Sequence, residues 1–275
     1  MTNRKLYGLL GYPLGHSFSR AFFQDKFTRE GIDADYQNFE LASIEALPQL
    51  LDEHPDLRGL NVTIPYKQAV IPFLDDLSDE ARAIGAVNVI KVTRSNSRTI
   101  LKGFNSDFIG FMGSIRPLLQ PHHKRALVLG TGGASKAICY ALEELGIEWR
   151  YVTRKRPVTV PEGSPEGSIT VPERSPKAPP EGPFTYSDIT PALLADYTVI
   201  VNCTPLGMFP NIDGAPTIPY AALSPRHLLY DLVYNPETTM FMREGRRFGA
   251  TVKNGLEMLH RQALASWEFW NEQDL

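Results

Sequence analysis

The stretch Arg125-Ala126-Leu127-Val128-Leu129-Gly130-Thr131-Gly132-Gly133-Ala134-Ser135-Lys136 reads as a buried strand running straight into a glycine-rich turn. Lys136–Leu145 continues as a helix stopped by Gly146, and Glu148–Thr153 is the next strand. A strand, Gly-x-Gly-Gly-Ala-Ser and a helix in that order present backbone N–H groups and a helix N-terminus to a pyrophosphate. The glycines allow the sharp turn and the close approach of the ligand. A tight strand-to-helix turn without a ligand is the plainer alternative; the strand and helix flanking the loop favour dinucleotide binding. An NAD site places Asp or Glu about 20 residues past such a loop, on the ribose 2′-hydroxyl. Here the second strand ends in Thr153-Arg154-Lys155-Arg156. This is either a solvated charge run or a guanidinium cluster suited to a 2′-phosphate, and its position favours NADP.

Downstream, Thr198–Asn202 and Leu228–Leu232 read as further strands, which fits a doubly wound sheet, and Gly255–Trp270 as a long amphipathic helix. Upstream, strand-like and helix-like segments alternate. Lys5–Leu10, Tyr36–Leu41 and Leu60–Ile64 are strand candidates. Arg20–Glu30, Ile44–Leu51 and a segment from Ser78 to Gly85 are helix candidates, and Val87–Val92 and Thr99–Phe104 are a pair of strands. This predicts a first α/β layer with a mostly parallel sheet. Residues 157–183 hold eight of the chain's 22 prolines and no aromatic residue, and they read as a flexible surface insertion.

Composition bounds the partners. The chain's 275 residues suffice for two domains, and 28 Lys and Arg against 31 Asp and Glu give a net charge of −3. That balance argues against a polybasic nucleic-acid or anionic-membrane binder. Two cysteines, Cys139 and Cys203, make neither a disulfide framework nor a multi-Cys zinc site. The opening apolar run is too short for a signal-peptide core, and no later stretch approaches the roughly 20 apolar residues of a spanning helix. The expectation is a cytoplasmic protein with reduced thiols, without metal.

Four polar motifs stand where strands of the first layer end: Gly15-His16-Ser17-Phe18-Ser19, Asn61-Val62-Thr63-Ile64-Pro65-Tyr66-Lys67, Gly85-Ala86-Val87-Asn88 and Gly103-Phe104-Asn105-Ser106-Asp107. Hydroxyls and amides without a strong anion clamp suit a small polyhydroxylated molecule. A Lys–Asp pair suits proton transfer from an alcohol as it becomes a carbonyl. Taken singly, Ser17 and Asn105 read as turn residues and His16 as part of a turn rather than a base.

Together with Asn202-Cys203-Thr204-Pro205-Leu206-Gly207-Met208, Tyr230-Asp231-Leu232-Val233-Tyr234 and Gly255-Leu256-Glu257-Met258-Leu259-His260-Arg261-Gln262, these motifs resemble the shikimate dehydrogenase family from Gly11 to Gln262. The resemblance implies a substrate-binding α/β domain over 1–110, completed by helices at about 254–275. It also implies a Rossmann-type NADP-binding domain over 111–253, with the active site in a cleft between the two. It implies reversible NADP-dependent reduction of 3-dehydroshikimate to shikimate, with Lys67 and Asp107 as the acid–base pair. Ser17, Ser19, Thr63, Asn88, Tyr234 and Gln262 would hold the substrate. Gly130, Thr131, Gly132, Gly133, Ala134 and Ser135 would hold the pyrophosphate, and Thr153 and Arg154 the 2′-phosphate. Leu232, Gly255 and Met258 would lie along the nicotinamide. The partner implied is a small molecule, and the protein a monomer or homodimer.

Three of the motifs depart from the family pattern, at four positions. Arg20 stands where Pro is common, Ser106 where Thr is usual, and Thr153-Arg154-Lys155 where Asn-Arg-Thr is usual. A quinate/shikimate dehydrogenase accepting NAD is the nearest rival, but no acidic residue ends the second strand. A dinucleotide-binding regulatory protein without catalysis is another, and retention of both Lys67 and Asp107 speaks against it.

Overall fold

The computed structural model describes residues 4–15, 18–95, 98–154 and 182–272. The chain forms two compact units: residues 1–106 with 262–275, and residues 107–261.

The first unit contains β1 (Lys5–Gly11), α1 (Phe18–Glu30), β2 (Ala34–Glu40), α2 (Leu47–Glu53), β3 (Leu57–Val62), α3 (Tyr66–Ala69), β4 (Asp76–Leu77), α4 (Asp79–Ile84), β5 (Val89–Ser95) and β6 (Arg98–Phe104). Its six strands are ordered β2-β1-β3-β5-β6-β4. The sheet is parallel-rich, as expected: β1 runs parallel to β2 and β3 and β4 runs parallel to β6, while β5 is antiparallel to both β3 and β6. A short hairpin joins β5 to β6, and a connection that short reverses the chain. Successive residues of β1 serve opposite faces. Leu6 and Leu10 join the cluster around Leu47 and Leu60, and Tyr7 joins Phe23, Tyr36 and Trp270. The start of α4 matches its sequence signals. The Ser78 hydroxyl accepts from the Ala81 N–H, and Gly85 closes the helix at φ 67°, a left-handed turn that favours glycine.

The second unit contains α5 (Asp107–Ile115), β7 (Arg125–Leu129), α6 (Gly133–Glu144), β8 (Glu148–Thr153), β9 (Phe184–Thr185), α7 (Pro191–Asp196), β10 (Val199–Asn202), β11 (Leu228–Asp231), α8 (Met240–Arg247) and β12 (Thr251–Lys253). Helix α9 (Leu256–Asn271) begins in this unit and ends in residues counted with the first. The sheet order is β12-β11-β10-β7-β8-β9, every pairing parallel. This is the doubly wound order, with its reversal between β7 and β10. Both faces are covered. Ala126 and Val128 pack on one side with Val199, Val201 and Tyr230, and Leu127 and Leu129 pack on the other with Ile200 and Leu229. Burial on both faces accounts for the near-continuous apolar runs of these strands. Helix α6 starts at Gly133, three residues earlier than the sequence suggests, so Gly133, Ala134 and Ser135 form its first turn.

Of the 157–183 segment, 157–181 lies outside the described residues, as do His16, Ser17, Lys155 and Arg156.

Candidate dinucleotide and substrate sites

In the second unit the loop after β7 turns through Gly130 and Gly132 into the first turn of α6. Gly130 has φ 98°, a conformation L side chains rarely adopt, and its N–H donates to the Val152 carbonyl at 3.0 Å. Gly132 is the N-cap of α6, with ordinary extended backbone at φ −72° and ψ 177°, and no side chain caps the helix there. A Cβ placed on Gly132 would meet nothing within 4 Å. Neither backbone strain nor packing within the protein therefore calls for glycine at 132. The open space suits close approach of a pyrophosphate to the exposed loop. The Ser135 side chain turns inward instead, its hydroxyl donating to the Gly132 carbonyl at 2.7 Å and bracing the turn. Thr131 is exposed, and Gly133 and Ala134 are half-buried.

At the end of β8, the Thr153 hydroxyl donates to the Phe184 carbonyl at 3.4 Å, and Arg154 follows, exposed. In the sequence, the strand ends in Thr153, followed by Arg154, with no Asp or Glu at the position an NAD site gives to a carboxylate. The chemistry there therefore fits a 2′-phosphate better than a bare 2′-hydroxyl.

Beyond β11, Leu232, Gly255 and Met258 come together. A Cβ on Gly255 would fall 2.2 Å from the Leu232 carbonyl oxygen, and Met258 is buried in the cluster against which Leu232 packs. Tyr234 follows on this loop, about one-third exposed, with burial of its hydroxyl pushing the pKa upward.

In the first unit, Ser19, Asn88 and Gln262 are joined by a buried chain of hydrogen bonds. Ser19 bonds the Tyr36 hydroxyl, which donates to Asn61 Oδ1 at 2.8 Å. Asn61 Nδ2 donates to Ser266 Oγ at 2.9 Å, and Ser266 Oγ lies 3.1 Å from Ser106 Oγ. Asn88 Nδ2 donates to Ser106 Oγ at 3.0 Å, and the Ser106 hydroxyl donates to Gln262 Oε1 at 3.3 Å. Burial pushes the Tyr36 hydroxyl well above the usual tyrosine range, which keeps it a neutral donor. Such chains fix amide orientations because each hydroxyl has one proton to give. Tyr36, Asn61, Ser106 and Ser266 carry no role in the sequence reading. Asn61 and Ser106 stand within its motifs, but Tyr36 and Ser266 are brought in by tertiary packing alone.

Thr63 follows β3, its N–H donating to the Leu10 carbonyl at 2.9 Å. Lys67 lies half-buried in α3, where its carbonyl accepts from the Val87 N–H at 2.7 Å. Asp107, buried, opens α5 and is the first residue of the second unit. Among the described residues no group of three or more His, Cys, Asp or Glu side chains is placed to hold a metal ion. Among them, no helix is long and apolar enough to cross a membrane.

Comparison with known proteins places this architecture. Residues 9–90 match the family model described as the shikimate dehydrogenase substrate binding domain. Shikimate dehydrogenase (NADP(+)) of Carboxydothermus hydrogenoformans is 35% identical over 275 residues, covering 97% of this chain and 91% of that protein. The crystal structure of shikimate 5-dehydrogenase from Thermus thermophilus in complex with NADP(H) and shikimate matches with a TM-score of 0.77 at 31% identity, covering 97% and 93% of the two chains. The Listeria monocytogenes enzyme in complex with shikimate and NAD matches with a TM-score of 0.80 at 25% identity, over 100% and 94%. A substrate-domain match in the first unit and full-length relatives across both lead to one assignment: the chain belongs to the shikimate dehydrogenase family.

Proposed function

We propose that the protein is an NADP-dependent oxidoreductase that interconverts shikimate and 3-dehydroshikimate. The observation that carries the cofactor side is the β7–α6 loop, where a left-handed Gly130 and an open Gly132 precede a helix N-terminus, with Arg154 rather than a carboxylate at the next strand end. Full-length likeness to enzymes named for NADP and shikimate supports the substrate side.

Gly130 to Ser135 hold the pyrophosphate through backbone N–H groups, and Thr153 and Arg154 take the 2′-phosphate. Leu232, Gly255 and Met258 line the nicotinamide. Bound NADP supplies the hydride acceptor, or in its reduced form the donor. Ser17, Ser19, Thr63, Asn88, Tyr234 and Gln262 orient the substrate through its carboxylate and hydroxyls. As the substrate's alcohol becomes a ketone, Lys67 takes its hydroxyl proton, and Asp107 holds and relays that proton; reduction runs the same transfer backward.

The test is steady-state oxidation of shikimate by the purified protein with NADP and with NAD. A kcat/KM for NADP exceeding that for NAD at least tenfold supports the assignment, and equal values would remove the 2′-phosphate from it.

A further inference from the structure

We propose that Asn202 is a positioning residue for the bound dinucleotide, locking the loop after β10 and the loop after β11 into one arrangement. The inference rests on the reading above only in taking NADP as the ligand.

Asn202 is the last residue of β10 and fully buried, in register with Leu129 of β7 and Asp231 of β11. It therefore sits at the carboxyl edge of the sheet beside the point where strand order reverses, the edge at which doubly wound folds bind ligands. Its amide is used in two directions. Nδ2 donates to Asp231 Oδ1 at 3.0 Å, while Oδ1 accepts from the Thr204 N–H at 3.0 Å and from the Thr204 hydroxyl at 2.6 Å. Asp231 in turn accepts from the Val233 N–H at 3.0 Å and from the Thr239 hydroxyl at 2.6 Å. One side chain thus fixes Thr204 on one side and, through Asp231, Val233 and Thr239 on the other.

Both fixed segments border expected cofactor contacts. Thr204 Cγ2 lies 3.0 Å from where a Cβ on Gly130 would stand, so Thr204 backs the first glycine of the phosphate loop. Leu232, expected along the nicotinamide, donates its N–H to the Asn202 carbonyl at 3.0 Å, and the next peptide N–H is held by Asp231. An amide is needed at 202 because it must donate to a carboxylate and accept from an N–H and a hydroxyl at once. Aspartate would place two carboxylates face to face, and leucine would orphan both partners.

The experiment measures the Kd for NADP by isothermal titration calorimetry, and the KM for shikimate, in Asn202→Ala, Thr204→Val and the double variant. Asn202→Ala is expected to weaken NADP about tenfold or more, and Thr204→Val several-fold, as orphaned buried groups let the loops drift. The double variant is expected to bind no more weakly than Asn202→Ala, since the two act through one network. The KM for shikimate is expected to stay within about twofold of the parent. If Asn202→Ala does not fold, Thr204→Val decides alone. A Kd within about twofold of the parent in the folded variants, or a KM for shikimate rising in the same proportion, would overturn the proposal. A parent that binds NADP but does not oxidise shikimate would refute the proposed reaction and leave this inference standing. A parent that does not bind NADP would overturn both.

Discussion

Gly255 approaches the Leu232 carbonyl so closely that a methyl group on it would sit 2.2 Å from the oxygen and 2.7 Å from the carbonyl carbon. The obstacle is backbone, which has no rotamer to retreat into. Gly255→Ala is therefore expected to push the start of α9 away from the end of β11. A loss of about 1–3 kcal/mol in unfolding free energy, typical of overpacking, is predicted for denaturant titration, with a raised Kd for NADP. Parent-like values of both would show that the loop yields without consequence.

Lys67→Ala removes the group assigned to the hydroxyl proton. Loss of a positioned acid–base group lowers rate by about 10²–10⁴-fold, so kcat should fall by that factor while the Kd for NADP stays near the parent's. An unchanged kcat in the folded variant would take Lys67 out of the mechanism.

Arg154→Ala separates the two nicotinamide cofactors. Charge-assisted hydrogen bonds contribute about 1.5–3 kcal/mol, roughly ten- to a hundredfold in affinity, and only NADP has the 2′-phosphate to lose them. Calorimetry on both cofactors should show NADP weakened by that factor and NAD hardly at all. Equal weakening would give the arginine another task.

Asp231 gives the stability a pH dependence. Burial pushes its carboxyl up from 3.8 to about 6, against the opposing pull of hydrogen bonds from Thr239, Val233 and Asn202. The unfolded chain releases this proton near pH 3.8, whereas the folded protein keeps it to about pH 6. Between those values the native state binds the extra proton. This group's contribution is therefore fully present below about pH 4 and lost as pH rises through about 6, on the order of 2–3 kcal/mol. Asp231→Asn abolishes the titration. Urea unfolding of both proteins from about pH 4 to 7 should show the parent losing stability relative to the variant up to about pH 6, then a constant gap. Parallel curves across the whole range would contradict the assignment.

The second sheet was the most legible part of the chain. Strands β7, β10 and β11 are buried on both faces and read as unbroken apolar runs, and the glycine loop announces the turn between β7 and α6. Helices α5 and α8 were not legible, because each carries glycine where the pattern asks for a helix former. A Cβ on Gly113 would stand 3.0 Å from the Arg261 side chain, and one on Gly245 2.5 Å from Leu229. These glycines serve close packing, not turns, and packing partners far along the chain leave no local signal. The antiparallel placement of β5 was likewise hidden in an alternation that looks parallel. At the sites, the motifs from Asn61 and from Gly103 do lie at the ends of β3 and β6, whereas Gly85–Asn88 follows α4 and precedes β5. Tyr36, Ser266 and Thr239 could not be found from the sequence, since their hydroxyls meet Asn61, Ser106 and Asp231 only after folding.

Oxidation of shikimate with NADP is tested most directly by reduced-nicotinamide absorbance after the purified protein is mixed with both, with a parallel mixture containing NAD. The expected result is a rise that requires protein and shikimate together and is faster with NADP than with NAD at equal concentration. A flat trace with both cofactors would contradict the proposed reaction.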